Sequence, residues 1–167
     1  MKILVVSGYS NSGKTSVAEL LLDSWKKKGL KIASIKNVHT PKFQMDIPNT
    51  DSWRHARAGS EVVGVRSGKG NVLFLYNEIS LEEQIDFVHH ISNCDILLLE
   101  GFRDQVKYPQ ILCIKDREDL VAQWNDKIIA ISGIASEPNE FYKERPMINN
   151  FVNTDQLIEF VNTSLKI

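Results

Sequence analysis

Residues 3–18 read Ile3-Leu4-Val5-Val6-Ser7-Gly8-Tyr9-Ser10-Asn11-Ser12-Gly13-Lys14-Thr15-Ser16-Val17-Ala18, and this stretch decides the fold. It opens on a short apolar run rich in β-branched residues, the pattern of a strand buried on both faces of a parallel sheet. Gly8 to Thr15 then match Gly-x-x-x-x-Gly-Lys-Ser/Thr at every fixed position. The flanks are those that a phosphate-binding loop requires, a buried strand before it and a helical pattern after it. The glycines let the backbone turn with its amides inward, and the helix N-terminus adds positive potential. In such a loop Lys14 reaches the β- and γ-phosphates and the Thr15 hydroxyl faces Mg²⁺. The nucleotide-binding residues expected on this basis are Gly8, Ser10, Asn11, Ser12, Gly13, Lys14, Thr15 and Ser16.

Outward from the loop, Val17, Ala18, Leu20, Leu21, Leu22 and Trp25 keep helical spacing up to Lys26-Lys27-Lys28 and Gly29, which suit a helix C-terminus. Lys31 to Ile35 reads as a second strand, so the first 36 residues form a β-turn-α-β unit. Asn37 to Asp51, with Pro41 and Pro48, has no pattern, and a connection of that length in a compact domain is often functional. Asp51 or Ser52 is expected to cap a short helix through Ala58. Glu61 to Arg66 and Asn71 to Tyr76 flank Ser67-Gly68-Lys69-Gly70 and read as a hairpin over 61–76. This Ser-Gly-Lys lacks the first glycine and a following helix, so it is not a second nucleotide site. Ser80 and Glu83 form a capping-box pattern for a helix to about Ile91.

Ile96-Leu97-Leu98-Leu99 is the most hydrophobic run and reads as a central strand, followed by strands at Ile111 to Ile114 and Ile128 to Ile131. Thr154 or Asp155 is expected to cap a closing helix. The alternation predicts a three-layer α/β sandwich of the P-loop NTPase kind in one domain, 1–167, its sheet mostly parallel with an additional antiparallel hairpin.

With 167 residues the chain can bury roughly 70% of its unfolded surface, enough for a core without staples. Lys and Arg number 20 against 21 Asp and Glu, a balance that argues against a nucleic-acid partner. Cys94 and Cys113 lack metal spacing and read as small buried hydrophobes. The apolar runs are too short for a membrane span or a signal-peptide core, so a soluble cytoplasmic protein is expected.

A phosphate loop needs a carboxylate at the end of a neighbouring strand to hold the metal. Glu100 closes the run from Asp95 and stands at the carboxyl end, where ligands bind in such sheets. Asp46, in the long loop, is a further metal candidate and, with Lys14, a catalytic one. Thr15, Glu100 and Asp46 are thus the expected metal set. Lys36, His39, Arg54 and Arg103 sit on or near the carboxyl-end loops, where they either bind a second anionic ligand or form a solvated face. His89-His90 suit a helix C-terminus rather than a metal. No Asn-Lys-x-Asp string selects guanine, so the residues alone imply Mg²⁺-dependent purine nucleotide binding.

Several segments together resemble the molybdopterin-guanine dinucleotide biosynthesis protein B family. The loop Gly8 to Thr15 is similar to that family's opening, and Ile35-Lys36 with His39 to its Ile-Lys-His-x-His-His segment. Phe43, Asp46, Pro48, Asp51-Ser52, Arg54 and Ala58-Gly59 resemble its middle stretch, and Glu100-Gly101-Phe102-Arg103 its Glu-Gly-Phe-Lys. Asn37 and Thr40 stand where the family pattern has histidines, Asn49-Thr50 where it has Gly-Lys, and Ser132-Gly133 where it has Ser-Asp or Thr-Asp. The resemblance implies a GTP-binding, weakly hydrolysing accessory protein with Mg²⁺ and molybdopterin as ligands. It would be a homodimer assisting a guanylyltransferase that joins GMP to molybdopterin. A small-molecule kinase or a regulatory ATPase of the same fold is the alternative; Arg117 and Arg145 form no Arg-rich lid of the kind kinases use.

Overall fold

The computed structural model describes residues 1–40, 42–136 and 140–167, so Pro41 of the long loop lies outside the described residues. Contacts divide the chain into two compact units, residues 1–37 with 87–167, and residues 38–86.

The first unit is built on a five-stranded parallel sheet. Its strands are β1 (Lys2–Ser7), β2 (Ile32–Lys36), β5 (Ile96–Glu100), β6 (Gln110–Cys113) and β7 (Ile128–Ser132), in the order β2-β5-β1-β6-β7. β1 is therefore central, and β5 lies beside it in the register Leu4↔Leu98 and Val6↔Glu100. All five residues of β5 are buried, as its unbroken apolar run requires. Helix α1 (Lys14–Lys27) lays Val17, Ala18, Leu21 and Trp25 into the core. It ends in a Schellman motif: Leu30 N–H donates to Trp25 O at 3.2 Å and Gly29 N–H to Lys26 O at 3.0 Å. Helix α5 (Thr154–Leu165) adds Leu157, Val161 and Leu165 to the same cluster, and buried Trp25 donates from Nε1 to Asn162 Oδ1 at 3.0 Å. Along β6 the side chains alternate between two cores. Ile111 and Cys113 join the α1–α5 cluster, whereas Leu112 and Ile114 join a second one with Leu120, Ile128, Ile131 and Met147.

Leu120 belongs to α4 (Arg117–Ala122), a helix the sequence reading did not contain. Asp116 caps it, accepting from Asp119 N–H at 2.8 Å, while Asp119 accepts from Lys115 N–H at 3.0 Å. Two short strands, β8 (Phe141–Tyr142) and β9 (Arg145–Pro146), also escaped that reading. Met147 follows them and bridges Ile131 in parallel, extending the sheet beyond β7 by one residue.

The second unit holds helix α2 (Asp51–Arg57) and the hairpin of β3 (Val62–Ser67) and β4 (Gly70–Leu75), paired from Val62↔Leu75 to Ser67↔Gly70. The hairpin thus falls within the expected 61–76. Helix α3 (Leu81–Ser92) begins in this unit with the expected capping box: Glu83 accepts from Ser80 N–H at 2.7 Å and donates its own N–H to Ser80 Oγ at 3.2 Å. Thr50, not Asp51 or Ser52, caps α2, and Asn153, not Thr154 or Asp155, occupies the N-cap of α5 without a side-chain cap bond. Thr50 has extended backbone angles and its hydroxyl reaches Trp53 N–H, whereas Asp51 and Ser52 are already in the helix.

The fold class is the expected one, a mostly parallel α/β sheet with an antiparallel hairpin.

Candidate functional site

The loop Gly8 to Gly13 joins β1 to α1 at the carboxyl end of the sheet, and its conformation depends on absent side chains. A Cβ on Gly8, whose φ is +136°, would stand 2.2 Å from the carbonyl oxygen of Cys113. One on Gly133, at the end of β7, would stand 2.4 Å from Ser12 O and 2.8 Å from Ile114 N and O. The neighbouring strand ends therefore press the loop into shape, and only glycine permits the approach.

Lys14 donates from Nζ to Tyr9 O at 2.5 Å, folding back over the loop. Burial holds its pKa below the ordinary lysine value. Lys36 and Lys115 act in the same direction, and Cys113 and Glu100 oppose them. Burial likewise pushes the Cys113 thiol up to about 12, so it stays protonated beneath the loop. The Ser12 hydroxyl is buried and has no hydrogen-bond partner among the described residues.

Thr15 and Glu100 are brought together. The Thr15 hydroxyl donates to Glu100 Oε1 at 2.9 Å, across the sheet from α1 to the end of β5. Lys36, at the end of β2, places its ammonium 2.9 Å from the same carboxylate oxygen and 3.3 Å from Thr15 Oγ1. Three expected residues thus meet at one point, one of them a cation that sequence reasoning had put with the second ligand. The hydroxyl and carboxylate are hard oxygen donors of the type Mg²⁺ takes.

Arg103 follows β5 and lies over the Tyr9 ring at 5.4 Å, with Lys115 over that ring at 5.8 Å. Tyr9 and Lys115 were missed, since the motif leaves the position after Gly8 free and nothing local marks a lysine after β6. A hollow of about 460 Å³ opens there, lined by Tyr9, Arg103, Asp104, Val106 and residues 122–125. A second, of about 310 Å³, is lined by Asn11, Gly13, Lys14, Thr15 and Ser16 together with Ile134 and Phe151.

Asp46, His39 and Arg54 belong to the second unit. Asp46 accepts from Ile47 N–H at 2.7 Å, Ser52 Oγ at 3.1 Å, Tyr76 OH at 3.2 Å and Thr50 Oγ1 at 3.3 Å. Partial desolvation would raise its pKa, but these bonds outweigh it and hold the carboxyl below the usual carboxylate range. Arg54 is exposed and pairs with Asp51 at 3.4 Å, and His39 is exposed. Among the described residues no group of three His, Cys, Asp or Glu side chains could hold a metal ion, and no helix is long and apolar enough to cross a membrane.

The crystal structure of Bacillus subtilis MobB superposes with a TM-score of 0.82 at 26% identity, covering 99% of this chain and 98% of that one. In sequence, a Bacillus subtilis protein described as a probable molybdopterin-guanine dinucleotide biosynthesis adapter protein is 27% identical over 165 residues, 98% of this chain and 93% of its own length. A relative from Methanocaldococcus jannaschii is 31% identical over 135 residues, and the chain spans only 55% of that relative's length. The family model of molybdopterin guanine dinucleotide synthesis protein B matches residues 3–134, and the chain belongs to this family.

Proposed function

We propose that the chain is an adapter in molybdopterin guanine dinucleotide assembly that holds GTP with Mg²⁺ on the Gly8–Thr15 loop. It hydrolyses the nucleotide slowly and serves a guanylyltransferase that joins GMP to molybdopterin. The observation that carries the nucleotide reading is the hydrogen bond between Thr15 and Glu100, 2.9 Å long at the carboxyl ends of β1 and β5. It sets a hydroxyl and a carboxylate side by side at the mouth of a glycine-shaped anion cradle. Lys14 and the loop amides neutralise the phosphates, and Thr15 with Glu100 would hold Mg²⁺, whose charge stabilises the β- and γ-phosphate oxygens. Lys36 would leave Glu100 when the metal enters, since both claim the same oxygen. Asp46, with four donors already on its carboxylate, is assigned to holding the 46–52 loop in shape rather than to metal or water.

Arg54 and His39 of the second unit, and Lys36 and Arg103 of the first, are each candidates for contact with an anionic ligand, a molybdopterin. A cytoplasmic homodimer is part of the same reading. Val62, Val65, Val72 and Leu73 of the hairpin are 40–50% exposed, and a two-stranded ribbon alone is marginal in water. A second copy would cover those side chains.

Isothermal titration of the wild type with Mg²⁺-GTP and with a molybdopterin compound tests the proposal, repeated on Arg54→Ala. Arg54→Ala should weaken pterin binding and leave GTP affinity within about twofold, because a planar guanidinium suits a phosphate monoester. Failure of the wild type to bind GTP refutes the nucleotide reading. Failure to bind the pterin refutes the second ligand.

A further inference from the structure

The 310 Å³ hollow has two unlike halves. Its floor is Asn11, Gly13, Lys14, Thr15 and Ser16, the turn of α1 that faces phosphate in the proposed reading. Its remaining wall is Ile134 and Phe151, 53% and 57% exposed, from the segments after β7 and after the Met147 bridge. Leaving a phenylalanine ring in water beside a cationic cradle forgoes burial that the core would reward.

The wall is also held in place. Asn149 donates from Nδ2 to Ser136 O at 3.0 Å and accepts from Phe151 N–H at 2.9 Å. Ser136 in turn donates from Oγ to Gly133 O at 2.9 Å. One carboxamide therefore ties the backbone that carries Phe151 to the segment that carries Ile134. Asn149 O takes two further bonds, from Val152 N–H at 3.2 Å and Asn153 N–H at 2.8 Å. An exposed ring on a braced loop is pre-organised for a partner with a flat apolar face.

Building on the nucleotide reading, we propose that Phe151, with Ile134, is the platform on which the purine base of the bound triphosphate stacks. The phosphates fix one end of the ligand on Lys14 and Thr15, and among the described residues the hollow offers the base these two side chains and the loop. Stacking recognises any base by its π-face, so it supplies affinity and a preference for the larger purine ring.

The test is titration of wild type, Phe151→Ala and Phe151→Trp with Mg²⁺-GTP, Mg²⁺-ATP, Mg²⁺-UTP and Mg²⁺-tripolyphosphate, which has no base. Phe151→Ala should weaken GTP and ATP about fivefold or more, the range of a single base stack. UTP should lose less, tripolyphosphate should stay within about twofold, and Phe151→Trp should restore purine binding. GTP affinity unchanged in Phe151→Ala overturns the platform and leaves the phosphate loop standing. A parallel loss of GTP and tripolyphosphate that Phe151→Trp does not restore also overturns it, because it shows a loop collapse. Wild type that binds neither ligand overturns the nucleotide reading, and the platform with it.

Discussion

Lys14→Met separates what the loop does for the fold from what it does for a ligand. The change keeps an unbranched side chain of similar length and removes only the ammonium. Among the described residues that ammonium makes one bond, to Tyr9 O, and burial disfavours its charge and lowers its pKa. Losing the bond costs about 0.5–1.5 kcal/mol, while relief of the desolvation acts in the opposite direction. The expected net change in stability is within about 1 kcal/mol, or a melting shift under roughly 4 °C for a chain of this size. The sign has a pH signature. A lysine with depressed folded pKa binds fewer protons native than unfolded, so its penalty is full at neutral pH and lifts as pH rises toward 10.5. That upward slope should be missing in Lys14→Met. Triphosphate binding should fall by about 1.5–3 kcal/mol, roughly tenfold to a hundredfold, since a charge-assisted contact is lost. Thermal melts from pH 7 to 10 and isothermal titration with Mg²⁺-GTP measure both halves. Destabilisation beyond about 2 kcal/mol would show a structural lysine, and GTP affinity within twofold of wild type would refute its phosphate role.

Glu100→Gln keeps an acceptor for Thr15 but removes the negative charge. Affinity for GTP in EDTA should stay within about twofold, while the gain on adding Mg²⁺ should shrink about tenfold or more. Equal losses with and without the metal would remove Glu100 from its shell. Cys94 and Cys113, 3% and 0% exposed, should resist a disulfide reagent at pH 8 and react only on unfolding in urea. Because Cys113 keeps its proton to about 12 when folded and loses it near 9.0 when unfolded, stability should decline as pH rises above about 9. A fast-reacting native thiol would contradict that placement.

Legibility in the sequence follows how local each cause is. The strand, loop and helix around Lys14 are written in consecutive residues, as are the Ser80–Glu83 capping box and the hairpin around Gly68. Helix α4 was legible too, since Asp116-x-x-Asp119 is a capping pattern with Asp in place of Glu. The β8–β9 turn was not. Its central residues Lys143 and Glu144 hold φ of 45° and 66°, a conformation that sequence reading expects from Gly or Asn. Within the site, Thr15 with Glu100 followed from strand polarity alone. The meeting of Lys36 with Glu100, and of Arg103 and Lys115 over Tyr9, depends on which strands neighbour β1, and no local pattern contains that order.

Gly133 shows how one such long-range constraint bears on ligand choice. The resemblance to the family leads one to expect Asp at this position, a residue able to pair with the edge of guanine. Here any side chain would collide with Ser12 O, because its Cβ would lie 2.4 Å away, and φ is +97°. With the backbone as it stands, a carboxylate cannot replace Gly133 without displacing the loop it supports. The glycine therefore permits close packing of the end of β7 against the Gly8–Gly13 loop. On the proposed nucleotide reading, affinity for the base would come from neighbouring residues, and Ile134 and Phe151 line the hollow with apolar surface rather than charge. A site of that composition grips the face of a base more firmly than it reads its edge, so GTP and ATP should lose affinity together when Phe151 is cut back.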